Sequence, residues 1–145
     1  MATFTLFDEF IKRIGNKELD LDTDTFKAML SNTAPDKAAN TVKADITEIS
    51  AGNGYTAGGV TLTGVTWSET GGGTGIWRWT ANDISWTASG GSIATHRYLV
   101  IYDDTEASDA LVGYVDRGST DVIADGNTRT WDIGASGLFE ADATP

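Results

Sequence analysis

From Gly52 onward the sequence is a succession of short β-prone runs, and this pattern constrains the fold more than any other feature. Each run is rich in Val, Ile, Thr or aromatic residues and is bounded by Gly, Asp, Asn or Ser, as in antiparallel β-proteins. The runs predict strands near 60–68, 76–80, 84–87, 95–102, 111–115, 122–124 and 129–133. With one more strand region upstream, a spacing of about ten residues predicts an all-β chain, a jelly-roll-like β-sandwich of about eight short strands.

A short helix is predicted at the N-terminus, over residues 5–15. Thr5 can cap its start, and Gly15 suits the position after its last turn. One face of this helix would be apolar, because the spacing i, i+3, i+4, i+7 is occupied by Phe7, Phe10, Ile11 and Ile14.

Between the helix and the β body the signals are mixed. Residues at about 19–31 alternate between apolar and polar, but the phase of the alternation changes, which predicts a bulge or two short strands in this first strand region. A loop is expected at 32–40, and residues 42–49 could form two helical turns. The main β body would span 52–139. No break in composition divides the chain, so residues 1–145 are predicted to form a single β-sandwich domain.

Composition and charge exclude several functional classes. There is no cysteine, which removes disulfides, thiol catalysis and cysteine-based zinc sites. No run of apolar residues is long enough to span a membrane, and no secretory signal is visible. The net charge is −11, and residues 44–145 carry fourteen acids against four bases. Such a surface repels a phosphate backbone, so we expect no nucleic-acid partner and no membrane partner.

Four separated blocks of sequence resemble a family of small β-rich virion proteins of tailed bacteriophages. In chain order they are FKAMLSNTAP (26–35), VKADITEISAGNGYTAGG (42–59), WTASGGSIATHRYLVIYDDT (86–105) and LVGYVDRGS (111–119). Some similar proteins are cement (decoration) proteins, jelly-roll modules that sit outside the icosahedral head and tie capsomers together. The family offers no catalytic or metal-binding residues to carry over.

The resemblance implies a structural virion protein on the outer surface of the phage head, made in the bacterial host cytoplasm. Its expected partner is the major capsid protein, with self-association around a symmetry axis. The alternative is a tail- or fibre-associated module that binds a glycan on the host surface. Such a module would expose Trp or Tyr platforms beside loop carboxylates.

Two acidic clusters are candidate cation sites. Asp20, Asp22 and Asp24 are spaced like calcium ligands, but the Gly and Glu that complete a helix–loop–helix calcium site are replaced by Thr25 and Ser31. Alternation along a strand would instead place the three carboxylates on one solvated face. The acidic loop 103–109 either binds a hard cation or simply connects two strands. We therefore predict no metal and no cofactor.

Enzymatic activity is not expected. His96 is the only histidine, and no G-x-S-x-G elbow supports Ser85 or Ser92 as a nucleophile. The segment GGGTG (71–75) lacks the ending of a phosphate loop and is typical of a mobile hairpin tip. No pair of carboxylates stands out for glycan hydrolysis.

The aromatic residues are the remaining candidates for a partner interface. Trp77 and Trp79 share one strand face at period two, and the predicted helix offers Phe7 and Phe10. These side chains either fill the core or contact another molecule. Our candidate interface residues are Phe7, Phe10, Trp77 and Trp79.

Overall fold

The strands of this chain fall into three antiparallel sheets, as a computed structural model that describes residues 3–143 shows. One α-helix and a short 3-10 turn, Lys43–Asp45, accompany them. The all-β fold class with a short N-terminal helix is thus confirmed. The elements are β1 (Phe4–Leu6), α1 (Asp8–Gly15), β2 (Phe26–Ser31), β3 (Val60–Thr61), β4 (Thr66–Glu69), β5 (Ile76–Thr80), β6 (Ile84–Thr87), β7 (Ile93–Asp103), β8 (Leu111–Ile123), β9 (Thr128–Trp131) and β10 (Phe139–Asp142).

The largest sheet has five strands in the order β1-β8-β7-β2-β3. Its centre is the long β7–β8 hairpin, and β2 pairs with β7 from Phe26 opposite Asp103 to Ser31 opposite Tyr98. A three-stranded sheet, β10-β5-β4, and a two-stranded sheet, β6-β9, complete the fold. The two smaller sheets pack on one face of the large one, as in a sandwich.

The central strands are buried on both faces, which explains why the run YLVIY (98–102) shows no alternation. One face contributes to the main core together with residues of β5, β6 and β9. The other face is covered by Phe7 and Ile46, from chain segments that cross it. On this second face the hydroxyl of Tyr102 donates to the carbonyl of Gly58 at 2.7 Å, which helps to hold the loop before β3 in place.

The N-terminal helix begins later than predicted. Thr5, the expected cap, lies in β1 and pairs with Tyr114 of β8, so its backbone is extended. The helix therefore begins after Phe7, whose side chain makes no capping hydrogen bond. Pairing with a distant strand has overridden the local capping signal. The helix ends at Gly15, but the left-handed position after its last turn, predicted for Gly15, is occupied by Lys17 (φ 61°).

The strand predicted over 19–31 forms only at its second half, β2, and residues 21–24 are turns. The Asp20 carboxylate accepts hydrogen bonds from the backbone N–H groups of Asp22 (2.9 Å) and Thr23 (3.2 Å). The prediction that Asp20, Asp22 and Asp24 share a strand face was therefore wrong. Short acidic side chains that bond to nearby backbone compete with a strand, and here they form the turn.

Residues 42–49 contain one 3-10 turn in place of two helical turns. The turn is closed by Asp45, whose carboxylate accepts from the backbone N–H groups of Thr41 (2.8 Å) and Val42 (3.2 Å). After the turn the chain runs beside β2, where the N–H of Ile49 donates to the carbonyl of Leu30 at 3.0 Å.

Other predicted strands have different bounds in the structure. The run 60–68 is split into β3 and β4 around Gly64, which has a positive φ of 61°. The runs 111–115 and 122–124 instead belong to one strand, β8. At Gly59 (φ 75°) an added Cβ would lie 1.8 Å from the carbonyl oxygen of Ala28, so only glycine allows this close approach beside β3.

Candidate interaction surface

The three-stranded sheet carries a row of aromatic side chains across its strands. Trp67 of β4 lies directly opposite Trp79 of β5, and Trp79 lies opposite Phe139 of β10. Directly opposed residues of antiparallel strands point to the same side of the sheet, so the three rings share one face.

Trp79 anchors this row in the core. Its side chain is fully buried, and its ring meets the Phe26 ring edge-on at 4.8 Å between centroids. The indole N–H donates to the carbonyl of Leu21 at 3.1 Å, which satisfies its polar atom. Trp79 therefore connects the three-stranded sheet both to β2 and to the turn before β2.

The same row continues outward to the surface. The Trp67 ring lies 5.8 Å from Phe139 and 5.8 Å from Trp77, and the two indole planes are inclined by only 30°. Trp77 is 41% exposed although it lies on the same strand face as Trp79. The face thus changes from core to surface within two residues of β5.

A groove of about 350 Å³ lies between helix α1 and this sheet. We call it the aromatic groove, and define it by its lining residues together with the adjoining Trp77. Ile11 forms part of the helical wall and is 60% exposed. The lining residues are Phe10, Ile11, Ile14, Leu19, Asp20, Leu21, Trp67, Phe139 and Ala141.

Exposed apolar side chains concentrate at this groove. Within residues 3–143 the exposed large apolar side chains are Ile11, Trp77 and Val122. Two of these three border the aromatic groove, and Val122 lies elsewhere, on β8. Contiguous exposed apolar surface is typical of contact sites, which makes this groove the candidate interaction surface of the described residues.

Fixed negative charge accompanies the groove. Asp20 lies in its wall, and hydrogen bonds from the backbone N–H groups of Asp22 and Thr23 lower the pKa of its carboxyl. Glu69 lies opposite Trp77, and its carboxylate accepts from the N–H groups of Gly73 (2.7 Å) and Gly75 (2.8 Å), which lower its pKa in the same way. Both carboxylates are therefore kept ionised, and the same hydrogen bonds fix their positions.

The nearby helix cations do not offset these charges, because each is paired elsewhere. Lys12 contacts Glu9 at 2.8 Å, and Arg13 contacts Glu18 at 3.2 Å and Glu106 at 3.5 Å.

The structure places the four predicted interface residues in different environments. Phe7, Phe10 and Trp79 are fully buried within this chain, so their side chains are core and cannot be reached by a partner. Phe7 also packs on the opposite face of the large sheet, against Tyr114 at 5.3 Å. Trp77 alone of the four is exposed.

Sequence reasoning missed Trp67 and Phe139 as candidates for a contact surface. A strand was predicted at Trp67, and Ile11 was placed on the apolar helix face, but no local pattern indicates that these residues meet. These residues lie close together because their strands pair and because helix α1 packs beside the three-stranded sheet.

The acidic loop 103–109 closes on the turn before β2. Asp103 is fully buried, and its Oδ1 accepts from the N–H groups of Thr105 (2.7 Å) and Glu106 (3.1 Å). Burial, together with the neighbouring carboxyl of Asp24, raises the pKa of Asp103 to about 7. Thr25 adds a second link, because its N–H donates to the Thr105 hydroxyl at 2.8 Å.

The described part of the chain contains no group of three or more His, Asp or Glu side chains arranged to hold a metal ion. Three carboxylates of the acidic loop are instead matched by cations. Asp104 contacts Lys27 at 3.0 Å, Glu106 contacts Arg13 at 3.5 Å, and Asp109 contacts Lys43 at 3.9 Å. The loop therefore connects the β7–β8 hairpin to the turn before β2.

His96 is buried in β7, and its Nδ1 lies 3.0 Å from the carbonyl oxygen of Ala94. Its register partner on β8 is Asp121, which is occupied by ion pairs with Arg129 (2.6 Å) and Arg117 (3.1 Å). His96 therefore lies within the β7–β8 pair, and its register partner is engaged with two arginines.

Neither a membrane-spanning helix nor a known relative guides the assignment of function. None of the helices within residues 3–143 has the length and apolar character needed to cross a bilayer. No family model, curated protein or solved structure matches the chain. The aromatic groove is therefore the structural observation from which function is inferred.

Proposed function

We propose that this chain is a bacteriophage head cement protein that binds the outside of the major capsid protein lattice and stabilises the head. The observation that carries the proposal is the aromatic groove, an open apolar surface on a rigid β-scaffold. The four sequence blocks that resemble small phage virion proteins supply the setting.

The groove suits lasting contact with another protein because its walls are fixed before binding. Phe139 packs against both Phe10 (5.6 Å) and Trp79 (5.8 Å), which are fully buried. Little conformational entropy is then lost when a partner docks, and more of the contact energy remains as affinity.

The acidic surface supports the same function. A net charge of −11 favours neutral or basic patches on a partner and opposes close contact between acidic faces. A cement protein contacts a lattice that repeats the same site many times, so a contact of modest strength suffices when neighbouring copies also associate around a symmetry axis.

The proposal predicts that phage heads assembled without this chain bind it and become more resistant to heat. Purified protein would be added to such heads, and DNA release would be followed by dye fluorescence during heating. We expect saturable binding and a higher release temperature, because a ligand that binds only the intact shell stabilises it. Heads that neither bind the protein nor change their release temperature would contradict the proposal.

A second candidate function has one observation in its favour. The exposed indole of Trp77 lies opposite Glu69, and an aromatic platform beside a carboxylate is also a way to bind a sugar. In this case the chain would be a tail- or fibre-associated module that binds a host surface glycan. Binding to host polysaccharide that is lost in Trp77→Ser, with no binding to heads, would favour this alternative.

A further inference from the structure

We infer that the aromatic groove receives a peptide segment that combines apolar side chains with arginine or lysine. The inference rests on the proposed function to the extent that this segment would belong to the capsid lattice. It adds the contact surface and the chemistry of the partner, which the proposed function leaves open.

The apolar part of the ligand follows from the walls of the groove. Ile11 and Ile14 of the helix face Trp67 and Phe139 of the sheet across a space of about 350 Å³. Leu and aromatic side chains inserted there would remove Ile11 from water, which is favourable in proportion to the apolar area that becomes buried.

The basic part follows from the charges beside the groove. Asp20 and Glu69 are both held as anions by backbone N–H groups, one in the wall and one opposite Trp77. A cation on the ligand can pair with these carboxylates. Arginine is the better match because its guanidinium can also lie over the exposed Trp77 ring, and this face-on contact is favourable.

A second copy of this chain is a poorer occupant. Two copies that met groove to groove would bring their own Asp20 and Glu69 carboxylates together, and like charges at an interface are unfavourable. Self-association around a symmetry axis would therefore use another surface.

A glycan is also a poorer occupant of the groove as a whole. Sugar hydroxyls need hydrogen-bonding partners, whereas the helical wall offers Ile11 and Ile14, and the turn below offers Leu19 and Leu21. Burying hydroxyls against these side chains would leave them without partners.

The test uses two synthetic peptides of about twelve residues. One alternates leucine with arginine, and the other has glutamate at every arginine position. Each is titrated into the full chain and into Ile11→Ser, Trp77→Ser and the matched control Val122→Ser, and binding is followed by calorimetry. All three replaced side chains are exposed, so each variant should lose less than about 1 kcal/mol of stability and remain folded.

We expect the arginine peptide to bind the wild type and Val122→Ser equally, and to bind Ile11→Ser and Trp77→Ser at least about tenfold more weakly. The glutamate peptide should show no binding. The inference is overturned if the arginine peptide does not bind, if the glutamate peptide binds as well, or if Val122→Ser loses as much affinity as the groove variants.

The same variants separate this inference from the proposed function. If wild-type protein binds phage heads and both groove variants bind them equally well, the cement function stands and the groove is not its contact. If heads bind no form of the protein but the arginine peptide behaves as expected, the groove inference stands and the cement function fails. A dimer that is lost in Trp77→Ser would instead identify a second copy as the occupant.

Discussion

Replacing Trp79 by alanine is expected to lower the free energy of unfolding by about 3–5 kcal/mol. The side chain is fully buried and packs against Phe26 and Phe139, so its removal leaves a cavity where the small sheet meets the large one. The carbonyl of Leu21 also loses its hydrogen bond from the Trp79 indole N–H, which is 3.1 Å long in the wild type. Urea denaturation followed by far-UV circular dichroism measures the change.

Trp77→Ala is the matched control, because it removes the same side chain from the same strand face two residues away. Trp77 is 41% exposed, so its replacement should cost less than about 1 kcal/mol. If Trp79→Ala does not fold, Trp79→Phe keeps most of the packing and loses mainly the hydrogen bond, at about 1–3 kcal/mol. Equal costs at positions 77 and 79 would contradict the division of this strand face into core and surface.

Asp103→Asn is expected to be more stable than the wild type above about pH 7, and the difference should vanish below about pH 4. Burial and the neighbouring Asp24 raise the pKa of Asp103 from its ordinary value of 3.8 to about 7. Between these two values the folded chain holds a proton that the unfolded chain has released. Stability from this group is therefore present at low pH and is lost as the pH rises, whereas asparagine carries no such proton.

The expected difference at high pH is on the order of 2 kcal/mol, after allowance for relaxation and solvent around the charged form. Thermal or urea unfolding of both proteins at a series of pH values would measure it. The comparison must be between variants, because other carboxyls act in the opposite direction: ion pairs and hydrogen bonds lower the pKa of Asp116 and Asp121.

Asp104→Asn is the control for this experiment. It removes one carboxyl from the same loop, and that carboxyl is a third exposed and contacts Lys27. It should not gain stability over the wild type above about pH 7, because it leaves Asp103 buried beside Asp24. If Asp103→Asn also runs parallel to the wild type over the whole range, Asp103 is not held protonated by its surroundings.

Local sequence signals were sufficient for the fold class and for several elements. The runs at 76–80 and 84–87 match β5 and β6, and the helix ends at Gly15 as predicted. Alternation and turn residues act over a few positions, so they are readable without knowing what lies across the sheet.

Pairing between distant segments accounts for what the sequence did not reveal. Thr5 was predicted to cap the helix, but pairing with Tyr114 holds it in β1. Asp103 resembles a solvated loop residue until β2 pairs with β7 and brings Phe26 opposite it.

The candidate surface shows the same limit. Trp77 and Trp79 are equivalent by period two, and only the register with Trp67 and Phe139 shows where the core ends. The predicted interface residues Phe7 and Phe10 lie in the core for the same reason, since the sheets that cover them are formed by remote parts of the chain.

The measurement that tests the central claim most directly is the number of copies of this chain per purified virion. Quantitative mass spectrometry against the major capsid protein would provide it. A head cement protein predicts a ratio near one, or a simple fraction set by capsomer symmetry. A handful of copies per particle would contradict the claim and would place the chain in the tail or a fibre.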